Sequence, residues 1–129
     1  SEYAFVQKIP YASIMNQRGE LVEPTAETIS AAASGVIPAD TRTSITNADA
    51  AGAYPIATFT WIIIYMEQNY SDRSKEQAIA TLDLLQYILS DEAQKITSEV
   101  HYAPLPTKAK ELSMKNLKTV TYDGMPILQ

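Results

Sequence analysis

The sequence predicts an α/β fold, and three observations carry that reading. Residues 58–65 (TFTWIIIY) form a near-continuous run of β-branched, aromatic and aliphatic residues, the pattern of a strand buried on both faces. Beyond it, apolar residues recur at spacings of three and four, as in helices that turn one stripe toward a core. Clusters of Pro, Gly, Asn and Asp separate these stretches into short elements. A doubly buried strand needs a covering layer on each side, so the chain belongs in a layered α/β body.

The elements follow in order. Residues 1–8 predict a short helix with Tyr3, Ala4 and Val6 apolar, ended by Pro10. Residues 11–15 (YASIM) predict a strand, residues 16–19 (NQRG) a turn, and Leu21-Val22 an antiparallel return. Pro24-Thr25 before Ala26-Glu27 opens a helix, because Pro is tolerated in a first turn and Glu suits the positive end of the dipole. That helix runs through Ile29 and the Ala31-Ala32-Ala33 triplet to a stop at Gly35, with its small residues packed closely on a sheet. Residues 41–46 (TRTSIT) are β-branched enough for a strand, and residues 47–52 (NADAAG) are turn formers.

The second half reads as helical. Ser74 or Asp72 can cap a helix reaching about Leu89, with Ala78, Leu82, Leu85 and Leu89 on its inner stripe and Ile79 and Ile88 beside it. Ser90-Asp91-Glu92 starts another helix carrying Ala93, Ile96 and Val100, without a full capping box. Residues 102–106 (YAPLP) break it, and residues 107–118 resume with Ala109, Leu112 and Leu117 apolar and Lys115 and Lys118 in the last turn. Residues 120–122, Asp123-Gly124 and residues 125–127 predict a terminal hairpin.

Composition narrows the function classes. The chain has 129 residues, 46% hydrophobic and 19% charged, which fits one globular domain or part of a larger one. Ten basic against fifteen acidic residues give a formal charge of −5, against the positive field that a general nucleic-acid binder needs. Without cysteine there is no disulfide framework, thiolate nucleophile or sulfur-built zinc site. The run at residues 61–66 (WIIIYM) is far short of a membrane span. The opening Ser1-Glu2-Tyr3 has no initiator Met, and we expect a matured or truncated product.

Candidate catalytic groups are few. His101 is the only histidine; at a predicted helix end its role is to favour the dipole rather than to act as a base. Four scattered glycines build neither a phosphate loop nor a dinucleotide fingerprint. Asp91 and Glu92 read as dipole partners rather than an acid/base pair, and Glu20 and Glu23 as solvated groups beside the first hairpin. The eight tyrosines are dispersed, which favours ordinary packing over a sugar-stacking platform. The hydroxyls of Ser44, Thr46, Thr58 and Thr60 could meet an anion but read first as β-formers.

Several stretches then line up in one order: residues 16–25 (NQRGELVEPT) with the Ala-rich helix, residues 44–47 (SITN), residues 54–61 (YPIATFTW), residues 102–106 (YAPLP) and residues 121–127 (TYDGMPI). Together they resemble the C-terminal part of the extracytoplasmic phosphate-binding proteins of ABC-type phosphate transporters, the PstS family. The resemblance implies part of one lobe of a class II periplasmic-binding-protein fold, α/β, with a few buried strands flanked by helices. It implies that residues 1–9 end the middle lobe, while residues 10–129 supply the crossover and the C-terminal part of the discontinuous lobe. In that family the phosphate is held by hydroxyls, amides, an Arg and an Asp of the N-terminal segment and middle lobe. Those motifs have no counterpart here, and Asp40 and Arg42 do not match them, so no catalytic, ligand-binding or metal residue is assigned and no cofactor is expected. His101 departs from the pattern, in which Gly commonly precedes Tyr-Ala-Pro-Leu-Pro, and puts the left-handed helix cap in question.

The expectation is therefore a non-catalytic fragment of an extracytoplasmic phosphate receptor for ABC-type uptake. Phosphate would be its ligand only together with the N-terminal segment and middle lobe, and an ABC permease, a complementary fragment or a second copy its partner, with no nucleic acid. The alternative from another class is a self-associating or partner-binding module derived from that lobe, using an exposed sheet edge near residues 61–65. A small enzyme would need a site built from Asp, Ser and Tyr alone.

Overall fold

A computed structural model describes residues 2–128, in the order α1 (Glu2–Gln7), β1 (Ile14–Met15), β2 (Leu21–Val22), α2 (Ala26–Ala32), α3 (Lys75–Leu89), α4 (Asp91–Glu99), α5 (Thr107–Leu117), β3 (Thr121–Tyr122) and β4 (Met125–Pro126). The α/β class holds, with helices and two small sheets. Strands β1 and β2 pair antiparallel with Ile14 opposite Val22, and β3 and β4 pair with Thr121 opposite Pro126. Asp123 and Gly124, at φ 52° and 71°, form the second turn, where two left-handed residues match the twist of the strands. Ser1, where the first helix was expected to begin, lies outside the described residues.

Local chemistry accounts for the helices. Thr25 caps α2 through the Thr28 amide, and the Thr28 hydroxyl returns to the Thr25 amide, a capping box built on Thr rather than Glu. Ser74 and Gln77 make the same reciprocal pair at α3, which selects Ser74 over Asp72 as the cap. Ser90 accepts the Ala93 amide at the start of α4. Buried Ala78, Leu82 and Leu85 are the predicted inner stripe of α3.

Two apolar clusters result. Ala32, Ala33, Ile45, Ala53 and Ala57 form one, with Ile29 and Phe59 against it; Leu82, Leu85, Leu117 and Val120 form the other, with Ile64, Ile88 and Ile127 against it. The small side chains of α2 thus admit loop residues rather than a sheet.

Three local expectations are corrected. Residues 41–46 form no strand; an Asx-type turn at Asp40 and a left-handed Thr41 (φ 60°) bend the chain instead. Residues 58–65 are not a doubly buried strand either: Ile63 is 92% exposed and Ile62 58% exposed. Apolar pattern alone does not make a strand where no neighbouring strand lies alongside to pair with it. The second helix ends at Ala32, ahead of the stop expected at Gly35, in bonds from the Ala33 amide to the carbonyls of Ser30 and Ala31.

Candidate functional site

Residues 60–66 cross in front of α3 and α5 and leave an open groove of about 780 Å³. Leu85, Ile88 and Leu89 of α3, with Leu117 and Val120, make its apolar floor, and Trp61 to Ile64 make one wall. Residues 40–44 form a polar rim. This rim is fixed from two sides: the Trp61 indole donates to the Thr41 carbonyl (3.3 Å) and the Asn116 amide to the Ala39 carbonyl (3.1 Å). Asp40 and Arg42 are the ionisable residues of the groove, and the Asp40 carboxylate accepts the Arg42 amide (3.1 Å). A floor of this kind receives apolar side chains; it has no acid/base pair and no nucleophile with a base.

The wall carries unused bonding capacity. Among the described residues, no backbone N–H or C=O of residues 60–64 takes part in a hydrogen bond. Pairing begins only past their end, where the Met66 carbonyl accepts the Thr121 amide and the Thr121 carbonyl accepts the Gln68 amide, both at 2.8 Å, in a parallel bridge of Glu67 with Thr121.

Glu67 secures this junction. Its carboxylate accepts the Asn69 amide (2.9 Å), the Thr121 hydroxyl (2.7 Å), the Asp123 amide (3.0 Å) and the Gly124 amide (3.1 Å). Those donors, the Asn69 amide first, lower its pKa from 4.5 to about 2. A second carboxylate clasp joins the first hairpin to residues 49–53. Glu20 accepts from Asn16 Nδ2 and the Gly52 amide, both at 2.7 Å, and is more acidic than an ordinary Glu mainly through Asn16. Glu20 is exposed, as expected, and in addition ties the first hairpin to Gly52. Asn16 itself is buried and also donates to the Ala53 carbonyl (3.2 Å), while Arg18 pairs with Asp49 (2.8 Å).

His101 keeps the left-handed cap despite its side chain. It sits at φ 60°, its amide donates to the Ser98 carbonyl (3.3 Å), and the Tyr102 amide reaches back to Thr97 (2.8 Å), the two bonds of a Schellman ending. Buried Gln94 then joins the Ile88 carbonyl (2.9 Å) to the Leu105 amide (2.6 Å), holding the Pro-rich segment against the end of α3. Asp91 and Glu92 lie in the first turn of α4 as expected; Asp91 also meets Lys110, whose hydrogen bond makes it more acidic. Thr46 donates to the Ala57 carbonyl (3.1 Å) and Thr58 to the Phe59 carbonyl (3.2 Å), so these hydroxyls serve the backbone rather than a strand. Among the described residues no group of three or more His, Asp or Glu could hold a metal ion, and no helix is long and apolar enough to cross a membrane.

Sequence reasoning did not single out Asn16, Glu67 or Gln94. Their partners lie in other segments, and only Asn16-Gln17-Arg18-Gly19, as a turn, carried a local signal.

No profile of a described protein family matches the chain. It is 31% identical over 127 residues to the phosphate-binding protein PstS of Methanocaldococcus jannaschii, a match that takes in 92% of this chain and 33% of that protein. Two PstS proteins of Xylella fastidiosa strains are 36% and 35% identical over 107 residues, 81% of this chain and 28% of theirs. The chain thus spans about a third of the length of the relatives it matches.

Proposed function

From the premise that this chain belongs to the PstS phosphate-binding-protein family over the stretch it shares with these relatives, we propose that it is the C-terminal, non-catalytic part of an extracytoplasmic phosphate-binding protein serving ABC-type uptake. Residues 1–9 end the middle lobe in this reading, and residues 10–129 form the crossover and the C-terminal part of the discontinuous lobe. An ABC permease is the partner of the whole protein.

One observation carries the proposal: identity of 31–36% runs across 81–92% of the chain but only 28–33% of the relatives' length. The groove's chemistry supports a scaffold role. An inorganic phosphate needs converging cationic and neutral donors in place of water, and the groove offers Arg42 on an exposed rim above aliphatic residues.

Calorimetric titration with inorganic phosphate tests the reading. The chain alone should show no saturable heat, whereas the longer protein that includes it should bind phosphate stoichiometrically. Saturable phosphate binding by these 129 residues alone would place ligands within them and overturn the non-binding part of the proposal.

A further inference from the structure

The sequence contains one Asp-Gly step, Asp123-Gly124, and no Asn-Gly. The pair makes the exposed two-residue turn between β3 and β4, with both residues in the left-handed region. In an Asp-Gly step the side-chain carboxyl and the next backbone amide meet with least obstruction, because glycine has no Cβ to shield its nitrogen. Beyond its chain neighbours, nothing lies within 4 Å of where a Cβ would stand at Gly124, so water reaches the turn. In the folded chain both groups are engaged. The Gly124 amide donates to Glu67 Oε2 (3.1 Å), and the Asp123 carboxylate accepts Asn69 Nδ2. The Asp123 amide donates to the other Glu67 oxygen (3.0 Å).

We propose that Asp123-Gly124 is a covalent modification site, isomerising to an isoaspartyl linkage through a succinimide, and that Glu67 and Asn69 guard it in the folded chain. The Gly124 nitrogen attacks Cγ of the Asp123 carboxyl in its acid form, making an N–Cγ bond. The amide proton and the carboxyl hydroxyl leave together as water. A second water then opens the ring. Addition at Cγ restores Asp; addition at the Asp123 main-chain carbonyl breaks its bond to the Gly124 nitrogen and routes the main chain through Cβ and Cγ. One water lost and one gained leave the mass unchanged, and no other reactant is needed. The clasp opposes the first step twice. A carboxylate facing the Gly124 N–H disfavours negative charge on that nitrogen, and Asp123 must give up Asn69 to rotate its carboxyl onto it. Glu67 is also too weak a base to take the proton, since its amide donors hold its pKa at about 2. Reaction therefore waits for the hairpin to open locally. Its product does not fit the clasp again, because an added main-chain atom lengthens a turn that sets Tyr122 opposite Met125.

Ageing the chain in warm neutral buffer, folded and in guanidinium chloride, tests this. Cleavage after Lys118 releases residues 119–129, in which Asp123 is the one Asp. Its isoaspartyl form separates by chromatography at identical mass and is labelled by a methyltransferase specific for isoaspartyl carboxylates. The folded wild type should isomerise at least about tenfold more slowly than the unfolded chain, the ratio reporting local opening of the turn. Glu67→Gln and Asn69→Ala, each with unchanged helical circular dichroism, should both move the folded rate toward the unfolded one. Asp123→Glu, which would need a strained six-membered ring closure instead, should give no isomer. Equal rates in folded and unfolded wild type would overturn the proposal. So would wild-type rates in both folded variants, or an unfolded chain that forms no isomer at Asp123. If Glu67→Gln does not fold, Asn69→Ala and the wild-type comparison decide. Phosphate plays no part in these readouts, so their failure leaves the phosphate-receptor reading to its own titration.

Discussion

At the scale of single residues, His101 shows a cost the fold accepts. A side chain in the left-handed region crowds its own carbonyl, and glycine does not. His101→Gly should therefore stabilise the chain by about 1 kcal/mol, read as a raised denaturation midpoint with unchanged slope. A loss of stability would mean that the imidazole contributes more than the cap costs. Glu67 gives a pH signature. Its folded pKa, about 2, lies below the unfolded value of 4.5, so the folded state holds its proton less tightly. Its contribution is fully present above pH 4.5 and is lost as pH falls toward about 2. Glu67→Gln should flatten the acid limb of the stability curve within that window, and an identical acid limb in wild type and variant would remove Glu67 from the account.

At the scale of elements, the three long helices were legible because each carries its own instructions. Ser74 with Gln77, Ser90 with its acidic first turn, and the Ala78–Leu82–Leu85 stripe act within one or two turns of chain. Strands were less legible, because their bonds come from elsewhere. Residues 58–65 have the composition of a central strand and lack a neighbour; β3 and β4 have ordinary composition and pair because Asp123-Gly124 turns them together. The carboxylate clasps were invisible for the same reason: Glu67 and its hairpin partners are 54 to 57 residues apart. Leu82 tests where the helical core lies. It lies on α3 and is fully buried in the cluster with Leu85, Leu117 and Val120, so Leu82→Ala should cost about 2–5 kcal/mol in equilibrium unfolding. A cost below 1 kcal/mol, near that of an exposed site, would mean that the α3–α5 packing is not the stabilising core.

At the scale of the whole molecule, apolar surface is unevenly distributed. The two clusters are small and rich in alanine on one side, while Trp61, Ile62 and Ile63 remain open to solvent. The order of motifs from residue 16 to residue 127 was readable as a family pattern, and the relatives of three times the length agree with it. The uncovered stretch at residues 61–65 entered the sequence reading only under the alternative of an interaction module, because a buried and an uncovered strand are written in the same residues.

The Glu67 clasp also has a kinetic consequence. It closes a loop that contains α3, α4 and α5, each of which nucleates within a short stretch and meets its neighbour across a short connection. Closing the long loop costs chain entropy that local helix contacts do not, so the helices assemble first and the clasp shuts behind them. An interaction made after the rate-limiting step acts as a latch on escape rather than a guide to entry. In stopped-flow experiments Glu67→Gln should accelerate unfolding several-fold with folding almost unchanged; slowed folding with unfolding unchanged would place the clasp in the nucleus. The lifetime of the folded chain is then set at its seam, by one exposed carboxylate and the hairpin it holds.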